Sequence, residues 1–501
     1  AASDVYKRQN YGRGHFSAVF DPTPKHTAGF DIEYTERSTH MPTLSRTTLG
    51  QTQSDSRYRQ HMDGNTLTAT ANYIWKIDTL GSQFKLIADY TRYTSDGDNS
   101  YHTTTCAPGT LRDSLYESAT GSVYDILTAD AGLTRKLPHG LTLRAGLRYT
   151  RNDMADKSRY AAQTQGTWLA LPEYSYDQHY TEQIGAAYAS LEYSAGRWEL
   201  SAGLRGEYTS VASQAFGRSY FGLFPNVSVS RALNALRTWL LVAQWSRNIE
   251  RPAFPALNPA RIRISDYSWQ SGNPSLRPTY IHRFSLTAVW KYRYTLTVGG
   301  NLHHDLIREI AHRDATAPDA VYIRPENHYT ENHWFVAASV PAKITRWWNL
   351  SVNAVGVMQR IRLNSTDSPA THYLMFADAT CSFTLPAGFF AEAVYRAQSR
   401  LYSGNSEVGP RHTLSATVKK QLFGKRLTLF CTLSNITGCD WEFASLTDGM
   451  RRTIDTGQAW SGRLWKVGAA WNFRTGKKFR ARTVESAAET QRKRLVKSTE
   501  Q

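Results

Sequence analysis

The sequence predicts an all-β chain closed into a transmembrane antiparallel β-barrel, and three observations predict it. Side-chain character alternates with period two, tight turns alternate with long polar connections, and low hydropathy coexists with many aromatic residues. The last is the simplest. Hydrophobic residues make up 41% of 501 residues, yet aromatics reach 12%, with 28 Tyr and 14 Trp, and mean hydropathy is only -0.49. A soluble core has no use for that pairing; a barrel with aromatic girdles outside and a wet bore inside does.

Alternation places successive side chains on opposite faces of a strand. Leu141, Leu143, Ala145, Leu147 and Tyr149 share one face, while Thr142, Arg144, Gly146 and Arg148 share the other. The pattern recurs where Trp198, Leu200, Ala202, Leu204 and Tyr208 oppose Glu199, Ser201, Arg205 and Glu207, and where Phe284, Leu286, Ala288 and Trp290 oppose Arg283, Ser285 and Thr287. One face suits hydrocarbon and the other suits water. No apolar run approaches the roughly 18 residues a membrane helix needs. In lipid every main-chain polar group must be paired within the protein, so spanning strands have to close on themselves.

Tight turns are expected near Pro22-Lys25, Asp78-Gln83, Lys136-Gly140, Ser194-Arg197, Ala232-Arg237, Lys291-Arg293, Thr345-Asn349, Pro386-Gly388 and Leu422-Arg426. Between them lie polar stretches read as long loops, at about 95–122, 152–181, 209–221, 248–280, 304–332, 360–371, 400–411 and 435–462. Short turns at one end and long loops at the other are the periplasmic and extracellular ends of an outer-membrane barrel. The count is about nineteen strands, which would be strands four to twenty-two of a full set of about twenty-two.

The chain divides into an unassigned start at 1–10, a barrel domain at 11–473 and a basic polar tail at 474–501. It begins with Ala1 and shows no export signal, which suits an N-terminally incomplete exported chain. The net charge is +17. Its dense part is the tail, with nine Lys/Arg against three Glu, read as solvated and periplasmic; no nucleic-acid motif accompanies it. Cys106, Cys381, Cys431 and Cys439 lack metal-site spacing. Cys431 and Cys439 could pair across a loop mouth, or all four could stay unlinked.

A group of motifs lies in the middle of the chain: Arg251-Pro252, Leu257-Asn258-Pro259, and Gly272-Asn273-Pro274-Ser275-Leu276-Arg277-Pro278 before an alternating strand. Tyr180, Glu182, Ala186, Tyr188, the run Gly203-Leu204-Arg205-Gly206-Glu207-Tyr208-Thr209, Leu223-Phe224-Pro225 and a final Trp471-Asn472-Phe473 accompany it. With these motifs, residues 125–480 resemble TonB-dependent outer-membrane receptors, specifically the outer membrane protein β-barrel family. Physically, the prolines cannot donate to a ladder and so belong in a connection, with Gly272 available for a positive-φ turn. The resemblance implies outer-membrane lipid around the barrel, a plug domain absent from this chain, a TonB-type energy-coupling protein, and an unidentified small nutrient of siderophore, glycan or peptide class.

No enzyme, cofactor or metal chemistry is expected. His303, His304, Asp305 and His312 do not fit a zinc motif, and neighbouring strand histidines face opposite ways. Asp96, Asp98 and Ser100 mimic the start of a calcium loop without its glycine or terminal glutamate and are read as a polar loop tip. Gly457 to Arg463 imitates a phosphate loop but lacks its Lys and Ser/Thr. Inward charges such as Arg144, Arg148, Arg205 and Glu207 are expected to be hydrated or paired with one another. Two other function classes remain open: a passive or secretion barrel, and a soluble secreted β-rich carbohydrate-binding protein.

Overall fold

A computed structural model describes residues 2–5, 8–214, 216–265, 267–314, 320–439, 441–447, 450–456, 462–473 and 484–495. Its strands belong to one sheet of 27. Nineteen of them form a continuous wall in chain order, from Arg8–Thr23 to Leu464–Trp471, each antiparallel to the next. The wall is therefore the expected all-β antiparallel barrel sheet. The short strand Ala2–Val5 pairs antiparallel with residues 43–46, while its Ala2 and Ser3 pair parallel with Asp455 and Thr456. This strand bridges the first hairpin and the last extracellular one, while the end strands of the wall, Arg8–Thr23 and Leu464–Trp471, are each paired on one side only among the described residues.

The nine tight turns fall where the sequence places them. At Pro138–Gly140 and Pro386–Gly388 the chain reverses through left-handed backbone at His139 and Gly140, and at Ala387 and Gly388. Facing is as expected too. Leu147, Leu204, Tyr208 and Leu286 point outward and are 64%, 50%, 55% and 49% exposed, while Thr142 and Thr150 are buried against the bore. Trp75, Trp198, Trp239, Trp290 and Trp347 lie on the outside close to the tight turns, with Trp239 and Trp290 stacked at 5.7 Å. A second outward aromatic, Tyr208, follows Trp198 ten residues later. At about 3.3 Å per residue and a tilt of about 35–45°, that spacing spans about 25 Å, the height of an apolar membrane band.

The long polar stretches differ from expectation. Residues 95–122 are not a loop: Gln83–Ala107 and Thr110–Leu137 are paired along their whole length and turn only at Pro108 and Gly109. Residues 152–181, 209–221 and 304–332 are likewise largely strand, whereas 360–371 is the expected loop, its strands ending at Arg362 and resuming at Ala370. Above the bilayer both faces meet water, so hydropathy stops alternating while the main chain goes on pairing. Asp96, Asp98 and Ser100 consequently sit mid-strand, opposite Asp63, His61 and Arg59, rather than at a loop tip. No disulfide joins the cysteines. Of the near phosphate loop, Gly457 to Arg463, residues 457–461 lie outside the described residues.

The described part of the basic tail, residues 484–495, departs from its solvated reading. Residues 484–495 run along the inner face of the wall: Glu485 meets Lys85, the Ala487 amide donates to Asp89, and Arg494 is buried against Glu182.

Candidate functional site

The bore above the membrane band is built from two groups of side chains and one folded-in loop. Tyr176–Ala195 and Trp198–Ser213 place Glu182 and Glu207 on the inner face, because every second residue of a strand points there. Arg251, at the end of Trp239–Glu250, reaches between them. Its Nη2 donates to Glu207 at 2.6 Å and to Thr209 at 3.0 Å, and its Nε lies 3.8 Å from Glu182. Arg205 donates to Glu207 at 2.6 Å. All three members of the central triad are at least nine-tenths buried, so each charge depends on the others. The inward charges read from sequence are thus mutually paired: Arg148 with Asp130 at 2.7 Å and Arg144 with Glu192 as well.

The proline-rich connection between residues 251 and 278 folds inward rather than projecting out. Phe254, Leu257 and Leu276 are buried with Tyr124, Ile126, Met154, Tyr180 and Val211. Asn258 accepts from Tyr176 at 2.5 Å. Arg277 donates to Asp305 at 2.6 Å, and Asn273 donates to the Pro325 carbonyl at 3.0 Å. Gly272 corrects one expectation, since its φ is not positive. Glycine is required there because a Cβ would stand 2.1 Å from the Asn258 carbonyl oxygen. A cleft of about 250 Å³ remains between this loop and the strand Tyr294–Arg313, lined by Pro255, Gln270, Gly272, Arg308 and Glu309.

Nearer the outer rim, tyrosines from successive strands line up. Tyr58 stacks on Tyr101 at 4.6 Å, and Tyr160 follows at 6.1 Å from Tyr101. Burial pushes the phenols of Tyr58, Tyr101 and Tyr160 up. The loop lays two guanidinium groups against this column: Arg263 over Tyr116 at 4.0 Å, and Arg261 over Tyr174 and Trp269 at 4.9 and 5.3 Å. Tyr160, Tyr174, Arg261, Arg263 and Trp269 line one small pocket. At about 30 Å³ that pocket is water-sized, so the rings and guanidinium groups offer an anion-attracting surface rather than an enclosed ring-sized site.

The histidines do not converge. His303 bonds the Glu331 carbonyl at 2.7 Å, His304 packs edge-on to Tyr329, and His312 pairs with Glu326 at 2.9 Å. Asp305 adopts a φ of 57° and, together with Tyr329 opposite it, is skipped in the ladder between His304 and Leu306, a local break that leaves the register unchanged. Sequence reasoning missed the hub beneath them. Glu331 is fully buried and accepts from Arg308 at 2.8 Å and Gln359 at 2.9 Å, with His333 at 2.8 Å. It also missed Arg261, Arg263 and the tyrosine column, whose members are 43 to 102 residues apart and meet only through register.

With this geometry in place, the comparisons are specific. The model of the outer membrane protein beta-barrel family matches residues 75–468. The chain belongs to that family. Its place is the outer membrane, as the outward apolar band requires. Among curated proteins no sequence relative matches. The barrel is similar to the ferric-catecholate import receptor Fiu from E. coli K12, with 10% identity, a TM-score of 0.58, and coverage of 94% of this chain and 81% of that one. The siderophore receptor PiuA from Acinetobacter baumannii shares 10% identity, with a TM-score of 0.49 and coverage of 93% and 80%. PirA from Pseudomonas aeruginosa shares 11%, with a TM-score of 0.47 and coverage of 92% and 80%. Likeness at this identity concerns the fold. In family terms, Arg251 of one motif gripping Glu207 and Thr209 of another gives the signature a structural role: it holds the loop in the bore.

Proposed function

We propose that this family member is the barrel of an outer-membrane receptor importing a scarce nutrient, driven by a TonB-type energy-coupling protein acting through a plug domain. One observation carries the reading. The protein's own loop folds into the bore and is pinned there by the Glu182–Arg251–Glu207 triad, which narrows the path a passive pore would use. The nutrient is an anionic, ring-bearing metal chelate of the siderophore class, held by Arg261, Arg263, Tyr174 and Trp269. The chemistry of the rim supports this, and the ferric-catecholate receptor whose fold it shares is in keeping with it.

The test is binding followed by uptake. Purified barrel is titrated with a ferric catecholate chelate and with an uncharged oligosaccharide while Trp fluorescence is read, and iron-limited growth is compared with and without the gene. Chelate-selective quenching that Arg261→Ala with Arg263→Ala weakens at least tenfold, about 1.4 kcal/mol, is expected. Equal response to both solutes, or growth that does not need the gene, would overturn the siderophore assignment; steady ion current through the unliganded barrel would favour a passive pore.

A further inference from the structure

The small pocket near the outer rim is bounded by the inward loop on one side and by the wall on the other. The loop's side is a hairpin of Ile262–Ser265 and Ser268–Gln270, in which Arg263 is paired with Trp269. Cross-strand partners share a face, and Arg261 joins them by lying over the Trp269 ring at 5.3 Å. The wall's side is Tyr160, buried on the inner face of Leu141–Thr164. The turn that follows is tied back to it. The Leu171 amide donates to the Tyr160 carbonyl at 2.8 Å, and the Tyr160 amide donates to Ser175 Oγ at 3.0 Å. That holds Tyr174 edge-on to Tyr160 at 5.8 Å. Loop and wall thus face each other across a space of about 30 Å³.

The groups around that space are donors. Trp269 Nε1 is buried and has no hydrogen-bond partner among the described residues, and a buried N–H without an acceptor is costly. An indole and a guanidinium donate and cannot accept. Burial pushes the Tyr160 phenol up, so it stays protonated and can donate as well. Arg261 lies over the Tyr174 and Trp269 rings and makes no ion pair among the described residues. A water would accept from the indole but would have to turn its own protons toward a positive rim, whereas an anion accepts from every side. The volume admits one water-sized particle, which excludes a carboxylate, a phosphate or an aromatic ring. We propose that the pocket is a halide site: one chloride-sized monatomic anion accepts from Trp269 Nε1 and counters Arg261, with Tyr160 and Tyr174 closing it from the wall. Bound there, it clips the inward loop to Leu141–Thr164, nearer the rim than the grip of Arg251. The site stands on the geometry of the rim, not on which nutrient is carried.

Two measurements test it on the full chain folded in detergent, with no chelate present. In the first, chloride or bromide replaces gluconate, an anion too large for the pocket, at constant ionic strength while the midpoint of thermal unfolding is followed by circular dichroism. In the second, crystals grown in bromide are measured for anomalous scattering. A saturable rise of the midpoint with either halide, and a bromide peak in contact with Trp269 Nε1, are expected. Trp269→Phe keeps a ring but removes the donor, and Arg261→Gln removes the charge. Each should raise the half-saturating halide concentration at least tenfold, with heat-modifiable migration confirming folded barrels. A midpoint that is the same in halide and gluconate, or bromide bound only at other places, would mean that water satisfies the indole and would overturn the proposal. So would an undiminished halide response in either variant. If one variant fails to fold, the other and the bromide position in the parent decide. Failure of the siderophore assignment leaves these outcomes untouched, because no chelate enters them.

Discussion

Each long wall strand is two structures placed end to end. Near the tight turns, Leu143 and Leu147 face outward while Thr142 and Asp130 face the bore, so hydropathy alternates sharply. Beyond roughly ten residues, the length that crosses a bilayer as a tilted strand, the same ribbons are polar on both faces. There they are tied by cross-strand pairs: Ser54 with Thr105 at 3.0 Å, Ser56 with Thr103 at 3.0 Å, and Arg46 with Asp55 at 2.7 Å. In the lower zone hydrocarbon dictates side-chain polarity. In the upper zone only main-chain pairing has to be satisfied, and the register fixed below propagates upward through each hairpin. Side-chain patterning therefore specifies the membrane zone, and inherited register specifies the vestibule.

The comparison breaks most readily at the junction of the zones, where Arg251 bridges Glu182 and Glu207. Arg251→Ala leaves two buried carboxylates short of a partner and should cost about 3–5 kcal/mol, measured by urea titration of folding into lipid vesicles. Adding Glu207→Gln should recover part of the loss. If Arg251→Ala costs nothing measurable, the loop is not pinned by this triad.

The next effect tests depth within the lower zone. Leu147→Arg, outward and well inside the band, should cost about 2–4 kcal/mol, while Leu143→Arg, two residues from the turn, should cost only about 0–1. Arg144→Leu breaks a half-exposed pair with Glu192 and should cost at most about 1 kcal/mol. Equal penalties for Leu147→Arg and Arg144→Leu would contradict the facing of the wall.

This division also explains what could be read from sequence. The nine turns, the strand count and the outward faces were legible because period-two patterning and turn chemistry are local. The extracellular ribbons were not, since stretches such as Ser95 to Ser122 carry no apolar face to betray a strand. For the site, the Arg251-Pro252 and Gly272–Pro278 motifs were visible as a loop, but not its inward fold, which depends on Phe254, Leu257 and Leu276 finding Tyr124 and Met154 from distant strands. The tail's burial was invisible for the same reason: Arg494 reads as solvated until Glu182 is placed opposite it.

Gly272→Ala sharpens that point on the loop side. The reason for glycine is a close approach to Asn258, not a left-handed turn, so even one methyl group should cost about 1–3 kcal/mol through overpacking. A substitution by Asn, which tolerates positive φ, should be no better than Ala. If Asn restored stability, backbone conformation rather than crowding would be the cause.

The smallest effect lies in the upper zone. Burial there raises the carboxyl pKa of Asp156, although Ser122 at 2.5 Å and Tyr124 at 2.9 Å donate to it and pull the other way. The fold thus prefers the protonated form. Its contribution is fully present below the unfolded value of about 3.9 and is lost as pH rises through the higher folded value. Asp156→Asn keeps an acceptor and carries no charge, so at acidic pH the two proteins should agree within about 1 kcal/mol. As pH rises to neutrality the variant should become the more stable of the two. Stability against pH for both proteins checks this: a flat difference, or one that favours the parent as pH rises, would mean that the donated hydrogen bonds outweigh burial, and that the vestibule accepts buried charge more readily than its packing indicates.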